Sequence, residues 1–184
     1  MATLILIRHG QTLWTEQKKY QGHTDVRLSV KGRQRMNLLS KRLDKIGIDF
    51  LYTSPLKRAR ESCAILSRRI RLKPHMDSRL KEMDFGVWEG KSAKELIAAK
   101  EPAYLSWMKG KWRTPCGGES LGRFRRRIRN FLRECFKQHK DQKVGIVCHG
   151  GTIRIMALEV LGLPMESFFS LRVEPGSFLI LEKK

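Results

Sequence analysis

Short apolar runs alternate with amphipathic stretches along the chain, and this alternation predicts an α/β fold. The run at residues 4–7 and the run at 144–148 each have the length and apolar character of a buried strand. Further strands are predicted at 49–53, at 75–81 as an edge strand, and at 169–173 and 178–181 as a terminal pair around a Glu-Pro-Gly turn.

Helical periodicity occupies most of the intervals between these runs. Helices are predicted over 31–46, from Pro55 to about residue 69, over 120–139 and over 152–161. Ser54 is expected to cap the second of them, and Gly162 with Pro164 to end the fourth. Residues 11–29 are predicted to be a polar loop. Residues 82–116 are expected to be irregular with one or two helices.

Two of the predicted strands end in the same chemistry. Arg8-His9-Gly10 follows the first apolar run, and His149-Gly150-Gly151 follows the run at 144–148. In an open α/β sheet, ligands bind outside the carboxyl ends of the strands. A single histidine at such a position is most often a polar cap of the sheet, but the matched pair with an arginine favours a crevice for an anion, with phosphate as the first choice.

Charge is the unusual feature of the composition. The chain has 184 residues, which suits one domain, and its 38 Lys and Arg against 18 Asp and Glu give a net charge of +20. Such an excess can indicate nucleic-acid binding. In the most arginine-rich segment, however, apolar residues recur at helical spacing and leave the arginines largely on a solvated face: Leu121, Phe124, Ile128 and Phe131. We therefore expect no dedicated nucleic-acid partner, although the positive field can steer phosphorylated substrates.

No apolar stretch approaches the roughly 20 residues of a membrane span, and no signal peptide is recognised, so a cytoplasmic protein without a membrane partner is expected. The four cysteines form no C-x-x-C pair, which disfavours a zinc knuckle and is typical of reduced thiols. Cys148 and His149 would point to opposite faces of a strand, so they make a poor Cys-His nucleophile.

Five motifs, in order along the chain, resemble those of the histidine phosphatase superfamily, the phosphoglycerate-mutase-like enzymes. They are Arg8-His9-Gly10-Gln11-Thr12, Ser54-Pro55-Leu56-Lys57-Arg58-Ala59, the segment Leu80 to Gly90 with its Glu82 and Phe85-Gly86-Val87-Trp88-Glu89, Gly117-Gly118-Glu119-Ser120, and His149-Gly150-Gly151. The resemblance implies a three-layer αβα sandwich with a mostly parallel sheet, in one domain over 1–184. It also implies that much of 82–116 forms a small helical cap over the site.

The resemblance further implies a metal-independent phosphomonoesterase that passes through a phosphohistidine. His9 would be the nucleophile, with its other ring nitrogen donating to a backbone carbonyl. Arg8, Arg58 and His149 would bind the phosphoryl group, although Arg58 alone would be taken for a solvated helix arginine. Glu82 would protonate the leaving alcohol, with Asp84 and Glu89 as rivals.

No cofactor is expected. A metal site formed by His9, Glu82 and His149 is conceivable, but the neighbouring arginines would repel a dication. Thr15 stands where many family members carry Asn, and it can still donate to phosphate. Gln21 and Gly22 begin a segment that resembles the QGxxD loop of the family and are expected to contact phosphate too.

The expected partner is a small phosphorylated metabolite, and the chain would act as a monomer or homodimer. The stretch 115–121, followed by Arg126-Arg127-Ile128, and the ending 171–177 resemble α-ribazole phosphatase of cobalamin biosynthesis, which makes α-ribazole 5′-phosphate a candidate substrate. Two alternatives remain open: a phosphoglycerate mutase-type phosphomutase, and a basic nucleic-acid or phosphoprotein-binding module with a vestigial site.

Overall fold

The structure is a computed structural model that describes residues 2–182, and five strands form one sheet there. They are β1 (Thr3–Arg8), β2 (Phe50–Thr53), β3 (His75–Met76), β4 (Lys143–Cys148) and β5 (Phe178–Glu182). The strand order is β3-β2-β4-β1-β5. All neighbours are parallel except β5, which runs antiparallel to β1.

Seven α-helices lie in the described residues. They are α1 (Leu13–Glu16), α2 (Val30–Asp44), α3 (Lys57–Ile70), α4 (Ala93–Ala98), α5 (Pro102–Met108), α6 (Leu121–Gln138) and α7 (Gly150–Leu161). Short 3₁₀ turns occupy Ser78–Leu80, Gly86–Trp88 and Met165–Phe168.

The sheet divides the apolar core into two layers. Because successive side chains of a strand point to opposite faces, Leu4 and Leu6 of β1 join one core cluster and Ile5 and Ile7 join the other. Helices α2 and α3 cover the face with Ile5 and Ile7, and α6 and α7 cover the opposite face. The predicted three-layer α/β sandwich with a mostly parallel sheet is confirmed.

The helix after β2 begins later than predicted. It starts at Lys57, and Ser54 does not cap it. The Ser54 hydroxyl is instead 2.8 Å from Nε2 of His149, and the Lys57 N–H donates to the carboxylate of Asp25 from a distant loop. The prediction was wrong because the first N–H of the helix is received by Asp25, from a distant part of the chain, and not by the serine.

The predicted strand at 169–173 is not formed. The Leu171 carbonyl accepts from Nε of Arg154 and the Val173 carbonyl accepts from Nη1 of Arg8, so two arginine side chains take the place of a strand partner. Phe169 stacks on Trp112, with ring centroids 5.3 Å apart. The edge strand predicted at 75–81 is reduced to β3, because the Asp77 carboxylate accepts from the Arg79 N–H and turns the chain into a 3₁₀ turn.

The segment 11–29, predicted to be a loop, contains α1. Thr12 and Thr15 form a reciprocal capping box that explains this short helix. Residues 82–116 carry a 3₁₀ turn with α4 and α5, and Trp88, Tyr104 and Trp107 of this segment are buried in the core cluster on the α6 side of the sheet.

In residues 2–182 no helix combines the length and the apolar character that crossing a membrane requires. The cytoplasmic location stays a prediction.

Candidate active site

The two strand-end histidines meet as predicted. Strands β1 and β4 are parallel neighbours in register, with Arg8 opposite Cys148, so His9 and His149 follow at adjacent carboxyl ends. Their ring centroids are 5.2 Å apart, and the His9 backbone N–H donates to the Cys148 carbonyl at 3.0 Å. Parallel pairing therefore brings together two side chains that are 140 positions apart in the sequence.

The surroundings of His9 fix its tautomer. Its Nδ1 is 2.7 Å from the Gly10 carbonyl, which can only accept, so Nδ1 carries the hydrogen and Nε2 keeps its lone pair. Burial, followed by the charges of Arg58 and Arg8, lowers the pKa of His9 well below its usual value. The ring is thus a neutral imidazole with one free nucleophilic nitrogen, as the sequence analysis expected.

His149 offers a donor rather than a nucleophile. The Ser54 Oγ lies 2.8 Å from its Nε2 and also receives the Leu56 N–H, so the serine hydrogen is free to donate to Nε2. The ring hydrogen then lies on Nδ1, which is buried and has no hydrogen-bond partner. Burial, Arg58, His9 and Arg8 lower the pKa of His149 well below its usual value, so this N–H belongs to a neutral ring.

Two arginines of the site donate to backbone carbonyls, and each keeps one N–H group that has no partner among the described residues. Arg58 is fully buried, and its Nη2 and Nη1 donate to the carbonyls of Gly22 at 2.7 Å and Thr24 at 3.0 Å. Its Nε has no partner, and the same is true of Nε of Arg8. Burial lowers the pKa of Arg58 to about 10, which still leaves it charged at neutral pH. Arg58 is therefore not a solvated helix arginine.

Glu82 is the carboxylate of the site. It is 7% exposed, its Oε2 accepts from the Gly151 N–H at 2.8 Å, and its Oε1 accepts from the Met83 N–H at 2.9 Å. The glycine is required here, because a Cβ at residue 151 would lie 2.5 Å from Oε1 of Glu82. The start of α7 thus places this carboxyl group next to the strand-end histidines.

A cavity of about 260 Å³ opens over these residues. Of the residues predicted for the site, five line it: Arg8, His9, Thr15, Gln21 and Glu82. Gly22, Arg58 and His149 are buried beside the cavity. They are not among the residues of 2–182 that line it. The rest of its wall comes from Lys19, Tyr20, Phe85, Trp107, Gly150, Gly151, Arg154, Phe168 and Phe169. Phe85 and Trp107 belong to the segment predicted to be a cap.

The loop residues have less direct roles than expected. The Thr15 hydroxyl donates to the Thr12 carbonyl at 2.9 Å, so it would have to rotate to reach an anion. The Gln21 amide nitrogen donates to Oγ1 of Thr12, and its Oε1 is buried without a partner. Gly22 supplies a carbonyl to Arg58 and a close approach, because a Cβ there would lie 2.0 Å from Oε1 of Glu89. Direct phosphate contacts for Thr15, Gln21 and Gly22 stay predictions.

Glu89 organises this loop instead of competing as the acid. Its carboxylate accepts from the backbone N–H groups of His23 at 2.7 Å, Thr24 at 2.7 Å and Phe85 at 3.2 Å. Asp84 accepts from the Gly86 N–H and lies 3.4 Å from Nδ1 of His23. Neither Asp84 nor Glu89 is among the residues of 2–182 that line the cavity. Of the three carboxylates, therefore, only Glu82 is placed to reach a leaving group.

Arg127 is a supporting residue that the sequence analysis did not single out. Its guanidinium forms an ion pair with Glu119 at 2.9 Å and donates to the backbone carbonyls of Arg79, Lys81 and Glu82. It lies on the arginine-rich helix, where the pattern indicated a solvated face. Its only signal in the sequence was its place in Arg126-Arg127-Ile128, which follows the stretch 115–121.

Thiol and metal chemistry are not supported by the arrangement. Cys148 is fully buried, and burial raises the pKa of its thiol well above the usual value, which disfavours the reactive thiolate. In residues 2–182 no group of three or more His, Cys, Asp or Glu side chains is arranged to hold a metal ion.

The lowered pKa values of the two histidines predict a pH-dependent stability. Below about pH 6.5 a histidine of the unfolded chain binds a proton that the folded site excludes, so the free energy of unfolding falls as pH falls. Each histidine contributes at most about 1.4 kcal/mol per pH unit. We expect His149→Gln to flatten the slope between pH 6.5 and 5 in urea unfolding. The exposed His75→Gln is the matched control, and an unchanged slope for His149→Gln would contradict this view of the site.

Comparison with known proteins identifies the family of the chain. The sequence profile of the histidine phosphatase superfamily (branch 1) matches residues 4–184. The chain is similar to phosphoserine phosphatase 1 of Hydrogenobacter thermophilus, with 30% identity over 182 residues that cover 98% of this chain and 86% of the relative.

Two solved structures have closely similar folds. A mycobacterial glucosyl-3-phosphoglycerate phosphatase, solved with VO3, superposes with a TM-score of 0.89 at 29% identity and covers 98% of this chain and 92% of its own. The α-ribazole phosphatase from Shigella flexneri gives a TM-score of 0.88 at 28% identity and covers 98% and 90%. With the strand-end histidines, the buried arginines and a family match over nearly its whole length, the chain belongs to the histidine phosphatase superfamily, branch 1.

Proposed function

We propose that the chain hydrolyses the phosphate monoester of a small metabolite through a phosphohistidine on His9, without a metal ion. That it is a phosphoric monoester hydrolase follows from its family and from its phosphatase relatives. What we propose beyond this is the covalent intermediate, the roles of individual residues and the identity of the alcohol.

The observation that carries the proposal is the distribution of unsatisfied polar atoms. Buried polar side-chain atoms almost always have hydrogen-bond partners, and each exception calls for an explanation. In residues 2–182 the exceptions all belong to predicted site residues: Arg8 Nε, Gln21 Oε1, Arg58 Nε and His149 Nδ1. Three of the four are donors, which is the set that the oxygens of a phosphoryl group would satisfy.

The proposed reaction has two halves. Nε2 of His9 attacks phosphorus, the phosphorus–oxygen bond to the alcohol breaks, and the acid form of Glu82 protonates the departing oxygen. Arg8, Arg58 and the neutral His149 N–H stabilise the charge on the equatorial oxygens. Water then attacks the phosphohistidine and gives its proton to the Glu82 carboxylate, which returns both residues to their starting forms.

α-Ribazole 5′-phosphate remains a candidate substrate. The similarity to the α-ribazole phosphatase from Shigella flexneri supports it, as do the aromatic residues of the cavity wall, on which a planar ring could stack. A mutase would differ only in passing the phosphoryl group to a second hydroxyl instead of to water. The same His9 intermediate would serve both reactions, so the products of one assay distinguish them.

The proposal predicts activity that survives chelation. Purified protein should release phosphate from several small phosphate esters equally well with and without EDTA, because arginines supply the charge stabilisation. Vanadate should inhibit. Loss of activity with EDTA and recovery with zinc or magnesium would contradict the metal-independent mechanism. Conversion of 3-phosphoglycerate to 2-phosphoglycerate in place of phosphate release would favour the mutase.

A further inference from the structure

Arg154 is a cation on the cavity wall that has no acidic partner in residues 2–182. It lies in the second turn of α7, half-buried, and its side chain lines the cavity. Its Nε donates to the Leu171 carbonyl at 2.9 Å, and its Cζ lies 5.5 Å from the centre of the Phe168 ring. No ion pair joins it to a carboxylate of the described residues. These contacts hold the guanidinium in place and leave both Nη groups free to donate.

The guanidinium groups of Arg154 and Arg8 lie side by side over Gly150. The position that a Cβ of residue 150 would take is 3.3 Å from Cζ of Arg8 and 3.4 Å from Nη1 of Arg154. Like charges at this separation repel each other in a partly dry site. An anion between or beside them removes the repulsion, and the arrangement is therefore poised for negative charge close to the transferring phosphoryl group.

The charge on the cavity wall exceeds what one phosphate monoester offsets. Among the described residues, the wall carries three cations, Arg8, Lys19 and Arg154, against the single carboxylate of Glu82. Arg58 adds a fourth cation immediately beside it. A phosphomonoester dianion would neutralise two of these charges, and Arg8 and Arg58 are the arginines next to His9. Lys19 and Arg154 remain for another negative group, and of these two Arg154 lies beside Arg8 over Gly150.

We propose that Arg154 binds a carboxylate on the alcohol part of the substrate, so that the enzyme prefers small phosphate esters with an acid group close to the ester. The inference rests on the proposed phosphatase function of the same site. The planar fork of the guanidinium matches a carboxylate in two parallel hydrogen bonds. The aromatic wall, with Phe168 and Phe169, covers the carbon skeleton between the two anions.

O-Phosphoserine and O-phosphoethanolamine form the matched test, because they differ only by the carboxylate. The wild-type enzyme should hydrolyse phosphoserine with a kcat/KM about 10–100-fold higher, the range expected for a charge-assisted contact. Arg154→Gln should lose that factor on phosphoserine and leave phosphoethanolamine near its wild-type value. Arg154→Lys keeps the charge without the fork and should fall between. Inhibition by vanadate, which mimics only the phosphoryl group, should be unchanged in Arg154→Gln.

Three results would overturn the inference. A wild-type enzyme that does not distinguish the two esters has no acid-binding position. An equal loss of both substrates in Arg154→Gln, with weaker vanadate inhibition, makes Arg154 a contact of the phosphoryl group itself. Arg126→Gln, which removes the same charge from an exposed position on α6, is the control; a loss as large as that of Arg154→Gln would assign the effect to the overall field. The proposed function fails separately, if no ester passes through a phosphohistidine.

Discussion

Replacing His9 with alanine is expected to reduce kcat by at least about 1,000-fold on every substrate, because removal of the nucleophile leaves only binding and electrostatic stabilisation. Among the described residues of the cavity wall, no other imidazole nitrogen can take the place of Nε2 of His9. His149 is the other imidazole of the site, but its Nε2 is bonded to Ser54 and its free Nδ1 carries the hydrogen. The measurement is steady-state hydrolysis of a small phosphate ester by the purified variant.

Folding of the His9→Ala variant has to be shown independently, because His9 is buried against His149. Circular dichroism should show the native secondary structure, and thermal unfolding at neutral pH would report the stability lost with the buried ring. His75→Ala, at an exposed position on the edge strand, is the matched histidine control and should keep full activity. Turnover of the His9 variant close to the wild-type rate would exclude His9 as nucleophile.

Replacing Glu82 with glutamine is expected to slow hydrolysis in proportion to the difficulty of the leaving group. Aliphatic alkoxides need a proton to depart, whereas p-nitrophenolate leaves without one. General acid catalysis is typically worth ~10²–10⁴-fold, so an alkyl phosphate should lose activity in that range and p-nitrophenyl phosphate much less. The comparison of kcat/KM on the two esters isolates the proton transfer.

Glutamine is not a perfect replacement, and the controls reflect this. Both oxygens of Glu82 accept backbone N–H bonds, from Gly151 and Met83. The amide oxygen of glutamine can keep only one of them, and the other N–H would face the amide NH2, which is also a donor. Thermal unfolding therefore belongs in the comparison. Asp84→Asn is the matched carboxylate control and should show no dependence on the leaving group. An equal loss on both esters in Glu82→Gln would mean that Glu82 positions other groups instead of donating a proton.

The core strands and the meeting of the histidines were predictable from local pattern and one general rule. Buried parallel strands appear as apolar runs, and the carboxyl ends of adjacent strands form ligand crevices, which was enough to bring His9 and His149 together. Helical spacing also places Met36, Leu39, Leu43 and Ile46 on one face. The first three are buried in α2, and Ile46 lies just beyond its end, partly buried against the same cluster. In each case, the sequence pattern that gave the prediction lies within a few residues of the element that it predicted.

Two of the errors arose where a distant side chain decided the local structure. Ser54 would be a good cap by its sequence, but its hydroxyl contacts His149, and the helix begins at Lys57, whose N–H is received by Asp25. Residues 169–173 have the apolar character of a strand, but their carbonyls are taken by Arg8 and Arg154, which no local pattern announces. Both departures serve the site, which is where local preference is expected to be overridden.

The residues that hold the site residues in place were the hardest to predict from the sequence. Glu89 holds the loop that in turn holds Arg58, through the backbone N–H groups of His23 and Thr24. Arg127 holds the segment of Glu82 through backbone carbonyls. These residues act on main-chain atoms, which every sequence contains, so only the folded structure distinguishes them from ordinary surface charges.

The most direct test of the account is the chemical identity of the phosphoenzyme. A brief incubation with a phosphate ester, followed by rapid quenching and peptide mapping, should place the phosphoryl group on His9, labile in acid and stable in base. The same experiment with His9→Ala should trap nothing. Phosphate found on a serine, cysteine or aspartate, or a phosphoenzyme that still forms in His9→Ala, would contradict the central claim.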